Sequence, residues 1–586
     1  MVPSPVQGRT NCNTVIGMVE RSTPDLGIFG GRAQGSTATS GVGPEALAPH
    51  AISHRATREP DAVALEHVGG AIVSYRQLDE QCRRWASGLA TLSVGERSIV
   101  ATMLPNGPTC FEVWLGLGWL RAIEAPLNPS LKGVMLAHIL SDCGAPLLVT
   151  TPDLLAVVAS VFDSLPDLRR VVVERSEQVD PAVVGRCDRA GVEIIDAQSL
   201  LAGTRPHGTL DGPRYHDPGA LLYTSGTTGP SKGVLVTWAS IYQTWSWVPS
   251  DALLPGEGLY CPFPMFHTSG KSALNSTLAR GGRFVWRDRF SATDLWDDIR
   301  RTKCVAASLV GPMLSFVCSQ PEDPSDADNS LRSILCGPMI PEIDHFERRF
   351  GVRVATCYSM TEIGSPLATG WEHGPWATCG RPRQDYPWTQ VRVVNEFDEP
   401  LGPGQVGELV VRTDEPSAFN AGYHGLPAMD ARAWRNGWFH TGDAFRYDND
   451  GWFFLVDRMN DTIRRRGENI SSFEVEQVVR DYPGVVDCAA IAVPAEHGED
   501  EILVALECNG GRLHYSDLSG WLEERLPKFM VPRYLRGVDA LPRNETSLRV
   551  QKFRLRHDGV TRTTWDRLGQ SATGTSSGSD DKSGLS

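Results

Sequence analysis

The sequence predicts an α/β protein. A large N-terminal body of several subdomains, with mainly parallel sheets and a β-rich part, precedes a small, mobile α+β domain. Three observations predict it. Short apolar runs alternate with amphipathic stretches between residues 282 and 357, the pattern of strand–helix repeats. Beyond residue 400 the texture changes to paired strands bounded by turn residues at Gly404 and Asn449-Asp450-Gly451. After Asp457 a shorter unit reads as a helix, two strands and a second helix.

Each element has a local reason. Residues 282–286 are an apolar run suited to a strand, and Ser291 is placed to cap a helix whose Leu295 and Ile299 share a face. On that helix Asp297 and Arg301 stand four apart, the spacing of an ion pair. Residues 305–310 and 331–335 read as further strands. Pro341 opens a helix with Ile343, Phe346 and Phe350 inward, and residues 352–357 form the next strand. Residues 406–412 and 451–456 read as antiparallel strands. Ser471 and Glu474 make a capping box for a helix carrying Val475, Val478 and Val479. Strands at 489–493 and 502–506 follow, then a helix through Leu518, Trp521 and Leu522. The expected division is a disordered leader over 1–44, the body over 45–456, a hinge at 457–460, the mobile domain over 461–565 and a disordered tail over 566–586.

Composition narrows the function. The 586 residues carry 56 Lys or Arg against 70 Asp or Glu, a formal charge of -14, which argues against nucleic acid or anionic lipid as the main partner. The 13 cysteines are dispersed without a CxxC pair, as expected of reduced thiols in a cytoplasmic protein and not of a disulfide framework or zinc knuckle. No apolar run approaches the ~20 residues of a membrane-spanning helix. One region departs from the acidic average: residues 525–562 hold ten basic and three acidic residues, a candidate polyphosphate-facing surface.

The most informative segment runs Tyr223-Thr-Ser-Gly-Thr-Thr-Gly-Pro-Ser-Lys-Gly-Val234. Alternating hydroxyls and glycines let backbone N–H groups approach a polyphosphate, with Lys232 adding charge. The segment is not a Walker loop, because Ser231 stands where that loop has a Gly before its Lys. Two other glycine-bearing strings, Gly116-x-Gly118 and Gly270-Lys271-Ser272, lack a required glycine.

This segment resembles the phosphate loop of the adenylate-forming superfamily, which includes acyl-CoA synthetases, luciferases and peptide-synthetase adenylation domains. Further matches follow in order: Pro126-Leu-Asn-Pro129, Pro264-Met-Phe-His267, Tyr358-Ser-Met-Thr-Glu362, Gly407-Glu-Leu409, Thr441-Gly-Asp443 and Asp457-Arg-x-x-Asp461. Arg466-Gly-Glu-Asn-Ile470 and Phe529-Met-Val-Pro-Arg-Tyr534 resemble the carnitine/crotonobetaine-CoA ligase-like branch. The resemblance implies an ATP- and magnesium-dependent ligase that makes an acyl-adenylate from a carboxylic acid. It then makes a CoA thioester, releasing AMP and pyrophosphate.

It also implies roles. Thr224, Ser225, Gly226, Thr227, Thr228, Gly229 and Lys232 would hold the β- and γ-phosphates. Gly337, Tyr358, Ser359 and Met360 would line the adenine site, with Tyr358 stacked on the base. Thr361 would contact the α-phosphate, Glu362 would hold magnesium, and Asp443 would accept the ribose hydroxyls. Arg458 would reach the nucleotide and Asn460 would be the hinge. His267, Gly311 and Gly337 would line the acid pocket, and His267 with Gly467 the tunnel for CoA. His267 stands where amino-acid-activating relatives carry an Asp, which lowers the expectation of an α-amino acid substrate. Small and aromatic pocket candidates suit an aromatic or medium-sized acid.

Three departures matter. The terminal Thr-Gly-Lys turn of the family is replaced by residues 541–556, where Arg549 takes the lysine position and Lys552 lies three residues on. Arg121 replaces a common Gly, and Met530 a common Lys. The altered turn keeps other readings open: amide formation, a nitrite-dependent diazotase acting on an aromatic amine, or an inactive nucleotide-binding scaffold.

Overall fold

Two sheets carry the body. The computed structural model describes residues 42–202, 204, 210–224, 230–337, 339–340, 342–372, 374–375, 377–458, 462–465, 468–495, 499–508, 513–543 and 550–569. The first sheet runs in the order Glu193–Asp196, Arg170–Val173, Leu147–Thr150, Ile99–Met103, Ile123–Pro126, Pro218–Thr224 and Lys232–Thr237. Its strands are parallel except for the closing hairpin of the last two. Runs such as Val171–Val173 are buried on both faces, as a parallel strand between helix layers requires.

The second sheet changes character along its length. Arg283–Trp286, Gly258–Cys261, Cys304–Leu309, Ser333–Cys336 and Arg353–Met360 are parallel neighbours. From Arg353–Met360 onward the path is antiparallel, through Gly364–Ala368, Thr378–Pro382, Phe453–Arg458, Trp438–Tyr447, Gly407–Thr413 and Thr389–Val394. In this second sheet the α/β part and the β-rich part are therefore continuous. The largest apolar core draws on both sheets and on the helices Tyr75–Thr91, Pro108–Trp119, Trp238–Ser246 and Thr268–Ala279, with Trp114 stacked on Trp238 at 5.0 Å.

Inside this core lies a charged pair. Lys271 and Glu124 are both fully buried and joined directly, Thr102 donates to Glu124 at 2.7 Å, and the ammonium lies 4.2 Å from the Trp114 ring centre. A nearby departure from the family also has a reason. Arg121 adopts a left-handed backbone with φ 56°, where a glycine costs nothing. Its guanidinium binds Asp217 through two bonds of 2.7 and 2.9 Å and Glu96 at 3.0 Å, and these ion pairs offset the strain.

The small domain has a hairpin, Thr462–Arg465 with Glu468–Ser471, and a four-stranded sheet of Val485–Pro494, Asp500–Cys508, Tyr534–Val538 and Trp565–Asp566. Helices Ser472–Arg480 and Tyr515–Arg525 pack against it through Val475, Val479, Leu518 and Leu522.

Several expectations need correction. The strand expected over 352–357 runs to Met360 and so carries the Tyr358 motif itself. The helix expected to start from Ser291 begins at Leu295. Its i,i+3 ion pairs are Asp297–Arg300 and Asp298–Arg301, one of the two spacings that bring side chains together on a helix. Ser471 caps its helix as expected, but the Glu474 carboxylate turns away to another partner described below. Strand Trp565–Asp566 places Asp566 against Arg533, so the small domain reaches beyond residue 565. Much of the basic segment is neutralised inside this domain: Arg533 by Asp566, Arg543 by Asp487 and Lys552 by Glu476. Met530 is buried in the domain core. Every described cysteine is a free thiol, and no helix among the described residues is long and apolar enough to cross a membrane.

Candidate active site

The site grows from the end of the Arg353–Met360 strand. Tyr358 is buried there, Ser359 is exposed, and Met360 packs into the β-rich core. The chain then turns through Thr361 and Glu362 into the antiparallel Gly364–Ala368 strand, whose Gly364 takes φ 64°. Opposite stands Lys232, the first residue of its strand, paired in register with Thr224. The Thr224 hydroxyl is buried and has no hydrogen-bond partner among the described residues.

Lys232 and Glu362 meet across a third residue. The lysine ammonium donates to the Tyr423 hydroxyl at 3.0 Å, and that hydroxyl donates to Glu362 Oε1 at 3.0 Å. The ammonium also lies 3.5 Å from the carboxylate and 4.1 Å from the tyrosine ring centre. Burial, reinforced by the Glu362 charge, pushes the Tyr423 phenol well above its ordinary range, so it stays a donor. Tyr423 is held by backbone pairing of residues 421–424 along the Lys232–Thr237 strand. Three residues earlier, Asn420 gives its backbone N–H to the Glu362 carbonyl at 2.8 Å. Its side-chain amide is buried, with neither end hydrogen-bonded among the described residues. Neither Tyr423 nor Asn420 was expected from the sequence.

A second pair sits beside the first. Tyr358 donates to Asp443 Oδ2 at 2.7 Å, and its ring meets Phe445 edge-on at 4.9 Å. Asp443 is buried, and its backbone N–H is held by the Thr441 hydroxyl at 3.1 Å. The adjacent Gly442 takes φ 72° and donates to Glu408 Oε1 at 3.0 Å, which fixes the turn. Arg458 pairs with Asp443 in the strand register.

A third group begins at His267. Asn106 holds the turn before it, donating to the Phe263 carbonyl and accepting from the Met265 N–H. His267 then precedes helix Thr268–Ala279, and Thr268 donates to the Thr361 hydroxyl at 3.1 Å. His267 Nε2 donates to Glu468 Oε2 at 2.8 Å, a bond from the body to the small-domain hairpin. Burial alone would lower the imidazole pKa, but the Glu468 charge and hydrogen bond outweigh it, and the net shift is upward. On the same hairpin Arg464 donates to the Gly337 carbonyl at 3.4 Å. Gly311 opens helix Gly311–Cys318 after the Cys304–Leu309 strand.

The structure thus brings together Lys232, Glu362, Thr361, His267 and Gly337 with elements of the small domain, and pairs Tyr358 with Asp443. It does not bring Lys552 to them: that ammonium is bound to Ser472 Oγ and Glu476 Oε1, each at 2.6 Å. Ser225, Gly226, Thr227, Thr228, Gly229, Asn460, Gly467 and Arg549 lie outside the described residues, as does the Arg458 side chain. The two other glycine-bearing strings have structural explanations. Lys271 is the buried partner of Glu124, and a Cβ on Gly116 or Gly118 would stand 2.8 Å from Cys82 or Trp238.

A magnesium ion fits this donor set only together with phosphates. No cluster of three acidic, His or Cys residues exists among the described residues, and Glu362 offers one carboxylate whose Oε1 is already engaged. A hard ion that keeps waters and phosphate oxygens as ligands needs no more than that.

Comparison with known proteins fits this layout. The family described as AMP-binding enzyme matches residues 52–423, and the AMP-binding enzyme C-terminal domain matches residues 474–547. A feruloyl-CoA synthase from Amycolatopsis sp is 31% identical over 495 residues, spanning 83% of this chain and 94% of that protein. A crotonobetaine/carnitine–CoA ligase from Citrobacter koseri is 28% identical over 487 residues, 80% of this chain and 90% of the relative. Among solved structures, an o-succinylbenzoate CoA synthetase from Bacillus subtilis superposes with a TM-score of 0.73 at 24% identity, covering 87% of this chain and 98% of that one. An amide bond synthetase from Marinactinospora thermotolerans does so with 0.73 at 22% identity, covering 87% and 99%. At these identities the two structures speak to the fold alone.

Proposed function

The chain belongs to the AMP-binding enzyme family as an AMP-forming acid–thiol ligase, and we propose that its acid is aromatic and that Lys232, Tyr423, Glu362, Asp443 and His267 carry the chemistry. In the first half-reaction a carboxylate oxygen attacks the α-phosphorus of ATP, the bond to the bridging oxygen breaks, and pyrophosphate leaves. In the second, the CoA sulfur attacks the acyl carbon and AMP leaves.

Such a reaction asks the protein mainly for positioning and charge. Lys232 offers its ammonium to the phosphates, and Tyr423 holds it 3.5 Å from Glu362 so that neither charge drifts. Glu362, with phosphate oxygens, would hold the magnesium, whose role is to neutralise phosphate charge. Asp443 accepts from the ribose hydroxyls once Tyr358 yields its bond and turns its ring to the base. Thr361, fixed by Thr268, stands between the phosphate side and His267.

One observation carries the reading. Side-chain bonds run from Lys232 through Tyr423 to Glu362 and from Thr361 to Thr268, and the chain itself joins Glu362 to Thr361 and Thr268 to His267. Phosphate-binding and acid-binding ends are thereby joined in one place. The aromatic acid is supported by the relative named feruloyl-CoA synthase and by the Phe266 ring, 4.6 Å from His267.

The small domain lies in the orientation suited to the second half-reaction. Its hairpin meets His267 and Gly337, while Lys552 is held within its own domain. Residues 457–460 would act as the pivot, and the body and small domain as the two working parts.

The test is incubation with ATP, magnesium, CoA and a panel of ferulic, benzoic and o-succinylbenzoic acids and carnitine, followed by mass spectrometry. AMP and a CoA thioester of an aromatic acid are expected. AMP formation indifferent to CoA but dependent on an amine or nitrite would move the assignment to another acceptor. No AMP with any acid would overturn the ligase roles given to these residues.

A further inference from the structure

Glu474 occupies an unusual position for a helix-capping residue. It is the third residue of helix Ser472–Arg480, and Ser471 caps its backbone N–H. A capping-box glutamate returns that bond to its own helix. Here the carboxylate instead crosses to the body, where Oε1 accepts from the Ser231 backbone N–H at 2.8 Å and from the Ser231 hydroxyl. Ser231 immediately precedes Lys232, and its carbonyl is engaged by His138 at 2.9 Å, so the donors are held in place. Glu474 is buried, and burial raises its carboxyl pKa.

Two backbone and hydroxyl donors beside a lysine make an anion-binding arrangement. A carboxylate satisfying them is chemically a stand-in for a phosphate oxygen. The same small-domain face is fastened nearby: Lys132 donates to the Glu523 carbonyl at 2.8 Å, and Met135 is buried in the small-domain core.

We propose that Glu474 competes with the departing pyrophosphate for the Ser231 donors, so that the small domain closes into this orientation only once the polyphosphate has gone. The inference rests on the reading of residues 224–232 as the phosphate-binding segment. Glu474 is a positioning residue in this scheme: it touches neither acid nor CoA, but ties the start of the second half-reaction to the end of the first. By linkage the competition is reciprocal, so a polyphosphate must weaken closure as much as closure weakens the polyphosphate.

The probe is magnesium tripolyphosphate, titrated calorimetrically into the full-length protein and its Glu474→Gln and Ser231→Ala variants. Hydrogen exchange at residues 131–135 follows domain closure. The neutral amide of Glu474→Gln loses the charge-assisted bonds, so that variant is expected to bind tripolyphosphate about tenfold more tightly than the parent. A merely structural loss would not tighten binding. In the parent, tripolyphosphate is expected to speed exchange at residues 131–135. Equal tripolyphosphate affinity in parent and Glu474→Gln would overturn the competition while leaving the phosphate-binding segment intact. No binding by any of the three proteins would overturn that segment's assignment and the competition with it. Ser231→Ala removes a donor from both competitors, and is expected to change the affinity by less than Glu474→Gln does.

Discussion

The Tyr423 hydroxyl stands 3.0 Å from both Lys232 Nζ and Glu362 Oε1. It bridges a cation and a carboxylate that also pair directly at 3.5 Å. Removing it with Tyr423→Phe leaves the packing but deletes two charge-assisted hydrogen bonds. Adenylate formation, followed as acid-dependent exchange of pyrophosphate into ATP, is expected to fall about tenfold. The thioester step from supplied adenylate should change less, since the pyrophosphate has then gone.

The His267–Glu468 bond predicts a pH dependence. Its imidazole pKa is raised when the hairpin is in contact, so the bond's contribution is complete below the ordinary histidine value and is lost as pH rises through the raised one. Closure of the hairpin onto the body is therefore expected to weaken toward alkaline pH. The thioester rate from supplied adenylate, measured against pH, should carry this inflection in the parent, and Glu468→Gln should remove it.

Breaking the buried pair should be costly. Lys271→Met leaves Glu124 without its cation in a fully buried setting, and a loss of about 3–5 kcal/mol is expected in thermal or denaturant unfolding. The double variant Lys271→Met with Glu124→Leu removes both charges and should recover much of that loss. A double variant no better than the single one would show that packing, not charge, dominates there.

Glu112 offers a test of stability alone. Burial pushes its carboxyl up to about 7, although a hydrogen bond with Trp85 works the other way. A carboxylate whose folded pKa is raised costs the fold nothing below its ordinary value; the penalty grows as pH rises from there and is complete above the raised value. Glu112→Gln is expected to raise the melting temperature at pH 8 and to leave it nearly unchanged at pH 5.

The parts of the site that local sequence encodes were legible. Tyr358 to Glu362 lie at the end of a strand that apolar residues announce, and Lys232 follows glycines and hydroxyls, so both segments could be picked out locally. Tyr423 could not, because it lies 191 residues from Lys232 and 61 from Glu362, and only strand pairing brings it between them. Asn420 was hidden for the same reason. Glu474 had a sufficient local explanation as a helix cap, and nothing in its neighbours announced that a body serine would be the better partner. Lys552 depends on a domain orientation that no local pattern carries. The parallel strands were legible because burial on both faces leaves an uninterrupted apolar run. The bounds of the helix after Ser291 were not, since three- and four-residue ion-pair spacings are both available there.

The Arg353–Met360 strand is bonded in parallel to Ser333–Cys336 on one edge and antiparallel to Gly364–Ala368 on the other. The Tyr358–Glu362 segment at its end is thus common property of the α/β and β-rich halves, and no cut through the sheet at this seam leaves it whole. Chimeras that exchange acid-recognition segments between relatives should keep residues 333–368 from a single parent. A division of the chain belongs near the start of its C-terminal domain, not at the strand that joins the two parts of the sheet.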